Sequence, residues 1–267
     1  MKKLLSAVLA VACVFALASC SKKSESDNSL KALLDRGEFV LGLDDSFPPL
    51  GFRNEKNEIV GYDIDLAKEV ASRLGVKFRA QPINWDSKEQ ELATGNIDCI
   101  WNGLTITKER QKALSFTKPY LRNAQVVVVK KDSGIKSLLD LSGKIIGLQA
   151  GSSAADAVEA DSGFKSSLKA IVEFKDNIMA LNDLEIGGVD GVVMDLIVAN
   201  YSITTSGKNF IVLDEGLAAE EYGIAFRKNE IQLTEKVQSV LEEMAADGTV
   251  AKISSAWFGS DISVIGK

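Results

Sequence analysis

Cys13, Cys20 and Cys99 are the three cysteines of this chain, and their positions give them different chemistry. Cys99 stands in Ile97-Asp98-Cys99-Ile100, a run that reads as a buried strand. Apolar burial suppresses the thiolate, so Cys99 is expected to be a structural thiol with no reactive role. The chain has no histidine. That removes Ser-His-Asp and Cys-His nucleophilic sites, an imidazole general base and His-ligated zinc. Carboxylates, lysine and tyrosine remain able to act. Gly151-Ser152-Ser153 falls between a predicted strand and a predicted helix. Backbone N–H groups at such a junction favour an anion, helped by the helix dipole. The same serines could be caps and nothing more. Asp195 likewise ends a strand where a helix begins and could serve as an N-cap.

The other two cysteines belong to the N-terminus. Met1-Lys2-Lys3 is positive and Leu4 to Ala18 is apolar. At about 15 residues that stretch is short of the ~20 that cross a bilayer, so residues 1–19 read as a signal peptide. It ends Leu17-Ala18-Ser19-Cys20, which resembles a bacterial lipobox, with Cys20 becoming the lipidated, palmitate-bearing first residue. The other reading is cleavage after Ala16-Leu17-Ala18, leaving Cys20 a free thiol. Residues 20–29 are polar without an apolar face and are expected to be a flexible tether. An extracytoplasmic protein tied to a membrane by lipid follows from these features.

The elements that must position any site alternate in type. Leu30 to Arg36 reads as a helix with Ser29 as its N-cap, and Phe39 to Leu43 as a strand leading to the loop at Asp44 to Pro49. Two short strands flank Asn54-Glu55-Lys56-Asn57, and a helix opens at Asp63. Strand 77–83, helix 86–94 and strand 97–101 follow. The same alternation resumes with strands 144–148, 170–174 and 189–194, each leading to a helix. Strands alternating with helices imply parallel sheets covered on both faces. Asn123 to Val129 and Leu213 to Phe226 break the pattern as long extended runs. If both cross between two α/β lobes, a cleft lies between the lobes. The C-terminal helices, 230–248 and 249–257, would then return to the first lobe. Lobe 1 is expected to comprise 30–121 plus 221–267, and lobe 2 to comprise 125–216.

Composition bounds the partners. At 46% hydrophobic and 25% charged residues the chain is ordinary globular protein, and its net charge of −6 with no basic run argues against nucleic acid.

From residue 38 onward the chain resembles the amino-acid-binding solute receptors of bacterial ABC importers, solute-binding protein family 3. The resemblance rests on Gly103-Leu104-Thr105-Ile106-Thr107-Lys108-Glu109-Arg110, on Phe116-Thr117-Lys118-Pro119-Tyr120, and on Gly61-Tyr62-Asp63-Ile64-Asp65-Leu66. It implies a type II periplasmic binding fold with two crossing hinge strands, and a free amino acid as ligand. Such a ligand presents a carboxylate, an ammonium and a side chain. Arg110 would offer the carboxylate a bidentate fork. Gly103 and Thr105 would expose backbone groups at the sheet edge. Ser152 and Ser153 would add N–H groups, Asp195 would meet the ammonium, and Phe47 and Trp85 would clamp the side chain. Asp63 and Asp65 are read as structural, and Gln149 is left outside the binding set. On the surface, Arg110 could instead pair with Glu109 or Asp98. Trp85 could instead be core, with Asp86-Ser87-Lys88-Glu89 forming a capping box.

Asp44 matches the position of an acid that meets the cationic side chain in lysine or arginine binders, although a glutamine binder has one too. With the aromatic pair it favours a basic amino acid; glutamine, another polar amino acid or cystine is the alternative. No cofactor, metal or catalytic residue is expected. The expected partners are the amino acid and the importer's transmembrane subunits, with the receptor a monomer. A ligand sensor, a dehydratase on the same scaffold and a surface adhesin are the rival functions. Tight amino-acid binding without turnover would separate the receptor from the enzyme.

Overall fold

The computed structural model describes residues 27–267. The predicted signal peptide and the lipidation at Cys20 lie outside them, as does the tether up to residue 26. The chain opens with α1 (Ser29–Arg36), β1 (Glu38–Leu43), β2 (Ser46–Phe47), β3 (Gly51–Arg53), β4 (Ile59–Val60), α2 (Tyr62–Leu74) and β5 (Lys77–Pro82). A 3-10 turn at Trp85–Ser87 leads to α3 (Lys88–Ala93), β6 (Cys99–Ile100), α4 (Lys108–Ala113), β7 (Leu114–Phe116) and β8 (Leu121–Lys130). Next come β9 (Ile145–Gln149), α5 (Ser153–Ala160), α6 (Ser162–Ser167), β10 (Ala170–Phe174) and α7 (Asn177–Ile186). The chain ends with β11 (Gly191–Asp195), α8 (Leu196–Ser206), β12 (Phe210–Tyr222), β13 (Ala225–Arg227), α9 (Ile231–Ala246) and α10 (Thr249–Phe258).

Two five-stranded sheets carry the two lobes, in the orders β5-β1-β6-β13-β7 and β10-β9-β11-β8-β12. Each has the parallel centre expected of alternating strands and helices, β1 with β5 and β6, and β9 with β10 and β11. One margin of each sheet is antiparallel, β13 with β7 and β8 with β12, which corrects the all-parallel expectation. The cause is the crossing and returning chain: β8 and β12 pair with each other in opposite directions from Leu121↔Tyr222 to Lys130↔Phe210, β8 also runs against β11, and β13 returns between β6 and β7 against both. Thr105 bridges to Tyr222 at the first-lobe end of these strands.

Burial explains the strand sequences. β1 (EFVLGL) is covered by α1, α2 and α3 and is buried from Phe39 onward, so it is almost continuously apolar. The α2 face Ile64, Leu66, Ala67, Val70 and Ala71 is buried as its helical spacing predicts. α9 packs on α1 and α2, and α10 on α2, which brings the C-terminal helices back to the first lobe. One apolar core cluster runs through both lobes, from Phe47 and Tyr62 to Leu181 and Val198.

Several local expectations change. Asp27 accepts the N–H groups of Ser29 and Gln232, so the predicted tether reaches residue 29 only on paper and its last residues are held to α9. Ser29 is the first residue of α1 and takes no capping role. Its hydroxyl oxygen accepts the N–H of Leu233. No side-chain capping bond forms around residues 84–89, so the predicted capping box is absent. β2 forms inside the predicted loop, and α4 and β7 form where the sequence pattern predicts no element.

Candidate functional site

The predicted binding residues converge, with one exception. Phe47, Trp85, Gly103, Thr105, Arg110, Ser152, Ser153 and Asp195 line one narrow, nearly closed cleft, joined by Gln149. Phe47, Trp85, Gly103, Thr105 and Arg110 come from the first lobe. Gln149, Ser152, Ser153 and Asp195 sit at the ends of β9 and β11 and the start of α5, where parallel strands of an α/β sheet expose ligands.

Arg110 is placed by a short helix whose N-cap, Thr107, accepts the Arg110 N–H through its hydroxyl. Its guanidinium turns inward: Nη1 donates to the Thr105 carbonyl at 3.0 Å and Nη2 to the Gly151 carbonyl at 3.4 Å. The surface pairings considered for it do not form, because Glu109 pairs with Lys112 and Asp98 with Arg36. Burial pushes the Arg110 pKa down from its ordinary value. Lys88, which the sequence reading passed over, is only 2% exposed. Its Nζ donates to the Gly151 carbonyl at 2.7 Å and lies 5.2 Å from the centre of the Trp85 ring. Burial, then the Arg110 charge, lowers its pKa to about 8. Two cations of the first lobe thus meet one carbonyl of the second.

At the other end, the Asp195 carboxylate accepts the Tyr222 hydroxyl at 2.5 Å and the Asn123 amide at 2.7 Å. It makes no side-chain capping bond to α8, so the carboxylate does not act as the helix cap the sequence allowed. Burial, then the nearby Glu220 carboxylate, raises its pKa to about 7. Glu220 also escaped the sequence reading. One of its oxygens accepts from Thr105 Oγ1 at 3.1 Å, Asn123 Nδ2 at 3.0 Å and Gln125 Nε2 at 3.0 Å.

Three expectations need correction. Asp44 does not line this cleft: it stands behind Gln149, whose Nε2 donates to it at 2.7 Å. Gly103 does not offer its N–H outward, since the Asp63 carboxylate accepts it at 2.9 Å. Gly103 is required instead by its backbone, with φ +62° and a Cβ that would sit 2.7 Å from Leu50 Cδ1 and 2.9 Å from Phe47 Cε1. The Thr105 carbonyl is taken by Arg110, so this segment offers the cleft a hydroxyl. Of the predicted anion-binding N–H groups, that of Ser152 donates to the Gln149 carbonyl at 3.3 Å. Ser152 Oγ caps α5 by accepting the Ala154 N–H, and Ser153 Oγ faces Thr105 Oγ1 at 3.0 Å.

A family model described as bacterial extracellular solute-binding proteins, family 3, matches residues 39–260. The chain is similar to the L-cystine-binding protein TcyJ of Escherichia coli (strain K12), 29% identical over 96% of this chain and 96% of that protein. It is also similar to the arginine-binding extracellular protein ArtP of Bacillus subtilis (strain 168), 32% identical over 97% of this chain and 98% of that one. Among solved structures, Tv2483 bound to L-arginine superposes with a TM-score of 0.87 at 35% identity, covering 90% of this chain and 98% of that one.

Proposed function

Because this chain belongs to the bacterial extracellular solute-binding proteins, family 3, we propose that it captures a free amino acid between its two lobes and delivers it to an ABC importer. The observation that carries this reading is the cleft itself. Arg110 from the first lobe and Asp195 from the second line one cavity and supply opposite charges for the two ends of a zwitterion. A keto acid lacks the ammonium that gives Asp195 its task, which favours a receptor over a dehydratase. The similarity to cystine- and arginine-binding proteins supports the amino-acid class.

The side chain is basic in the first reading. Asp44 and the Phe47–Trp85 pair suit a guanidinium or ammonium, which would turn Gln149 aside to reach the carboxylate. A polar neutral side chain is the second reading: glutamine, or cystine. The Gln149–Asp44 bond favours it, since it leaves the carboxylate already partnered. Lobe 1 (30–121 plus 221–267) and lobe 2 (125–216) close on the amino acid about the crossing strands. The receptor works as a monomer outside the cytoplasmic membrane, held there by lipid on Cys20. Among the described residues no helix is long and apolar enough to cross a membrane.

A thermal-shift screen of the twenty amino acids with cystine and ornithine, followed by calorimetry, tests the function. Arg110→Ala is expected to weaken the best binder about thirtyfold or more, the cost of leaving a buried carboxylate without its partner. An unchanged affinity would rule out this cleft as the amino-acid site.

A further inference from the structure

Glu220 lies on the second crossing strand, opposite Asn123 on the first. The groups around it form a closed ring of hydrogen bonds. Gln125 Nε2 lies 3.3 Å from Ser153 Oγ, Ser153 Oγ 3.0 Å from Thr105 Oγ1, and Thr105 Oγ1 3.1 Å from Glu220, which Gln125 Nε2 also reaches at 3.0 Å. Either lobe contributes one hydroxyl, and the crossing strands contribute the rest.

Donor and acceptor roles fix the direction of this ring. An amide nitrogen only donates and a carboxylate only accepts, whereas a hydroxyl does both with a single proton. Gln125 therefore gives one hydrogen to Ser153 and one to Glu220. The Ser153 proton goes to Thr105, and the Thr105 proton goes to Glu220. Both hydroxyls then face the cleft with lone pairs only. Gln125 adds a second sign of the same polarity: it is fully buried, directly opposite Asp195 in the strand pairing, and its Oε1 has no hydrogen-bond partner. This end of the cleft is rich in acceptors, while the Arg110 end is rich in donors.

We propose that Glu220 is a positioning residue that binds the Thr105 proton and so turns Thr105 and Ser153 into acceptors for the ligand's ammonium, fixing which way round the amino acid enters. This rests on the amino-acid reading above and adds a residue that acts without touching the ligand. A ligand with a carboxylate or hydroxyl-accepting group at that end meets no proton. An ammonium, with three N–H donors, finds Asp195, Thr105 and Ser153, all of which line the cleft.

The test compares each amino acid with its α-deamino counterpart: L-arginine with 5-guanidinopentanoate, and L-glutamine with glutaramate, by calorimetry. Wild type is expected to prefer the amino acid strongly. Glu220→Ala frees the Thr105 proton, so amino-acid affinity should fall about ten- to a hundredfold while the deamino compound binds as well as before or better. Glu220→Gln keeps a carbonyl acceptor for the same three donors and should retain most of the preference. In a Thr105→Val background, Glu220→Ala should add little further loss. Equal losses for both members of a pair, or a Gln variant no better than the Ala variant, would overturn the proposal. If Glu220→Ala fails to fold, the pair comparison in Thr105→Val decides, since an unchanged preference there removes the hydroxyl from the argument. Wild type that binds no amino acid in the screen fails the underlying reading, before any variant is made, and the proposal falls with it.

Discussion

Gln149 Nε2 donates to Asp44 Oδ2 at 2.7 Å, and this bond joins the last residue of a second-lobe strand to the residue just beyond a first-lobe strand. It is buried on both sides. Burial raises the Asp44 pKa to about 6, against the lowering pull of the Ser46 N–H and Gln149 bonds. The carboxylate is therefore charged at pH 7.5 and mostly protonated at pH 5. A basic side chain would have to displace Gln149 to reach it, whereas a neutral one would leave the pair in place.

The first prediction follows from that choice. Asp44→Asn is expected to weaken L-arginine about tenfold or more and to leave L-glutamine within a few fold. In wild type, arginine affinity should fall between pH 7.5 and 5, and the variant should show a smaller fall, the part that remains coming from Asp195, whose pKa is also raised. Calorimetry at the two pH values checks both. Equal effects on the two amino acids would remove Asp44 from any role in choosing the side chain.

The second concerns stability. Asp63 is completely buried and accepts the Gly103 N–H and the Tyr120 hydroxyl, at 2.9 and 2.8 Å. Its burial raises its pKa to about 7. A carboxyl that binds its proton more tightly in the folded than in the unfolded chain adds stability that is complete below its unfolded pKa, about 3.9, and is lost as pH rises through the folded value. Asp44 and Asp195 are shifted in the same direction, so their contributions do not cancel. The ligand-free protein is thus expected to melt several degrees lower at pH 8 than at pH 5. Asp63→Asn keeps an acceptor for both donors and cannot ionise, so it should flatten that slope. A slope identical in the variant would show that Asp63 does not titrate in this range.

Arg110, Thr105 and Asp195 were legible in the sequence because a short motif and a strand end fix them locally. Lys88 was not. A lysine in Asp86-Ser87-Lys88-Glu89 reads as solvated, yet its Nζ donates to the carbonyl of Gly151, far along the chain, as well as to that of Trp85. Glu220 was hidden for a different reason. Side chains alternate faces along a strand, so Glu220 and Glu221 point opposite ways. Which one points inward depends on register, and β12 shifts register against β8 between Val212 and Gly216 and again before Ala218. Counting from the start of the strand cannot recover that phase. The six residues of α4 are too few to show a helical period, although they carry Arg110. The two-lobed architecture needed none of these details, since the alternation of elements and the two long extended runs were enough for it.

The third prediction is a chemical one. Cys99 is fully buried, and burial followed by the Asp98 charge raises its pKa well above the ordinary thiol value. Native protein should give no reaction with a thiol-specific chromogenic reagent over hours, and one equivalent at once in denaturant, for a mature form in which Cys20 is blocked or removed. Fast reaction in the native state would mean that the strand at Cys99–Ile100 opens readily.

Closure itself can be tested at Gly151. Its φ is +68°, which costs an ordinary residue roughly 1–2 kcal/mol, and that cost falls on open and closed forms alike. The second effect acts on one form only. A Cβ at Gly151 would lie 2.9 Å from Asp86 Cα and 2.9 Å from Asp86 Oδ1. Asp86 belongs to the first lobe, so the clash arises as the lobes meet and vanishes as they part. Oδ1 can rotate aside, but Cα is backbone, held inside the Trp85–Ser87 turn, and cannot. Gly151→Ala is therefore expected to leave the melting temperature of the ligand-free protein within a few degrees. It should weaken the amino acid found in the screen about tenfold or more. Small-angle scattering supplies the deciding readout: wild type should compact when that amino acid is added to saturation, and the variant should compact less or not at all. A variant that binds and compacts as wild type does would mean that the lobes do not close through the contact between Gly151 and Asp86.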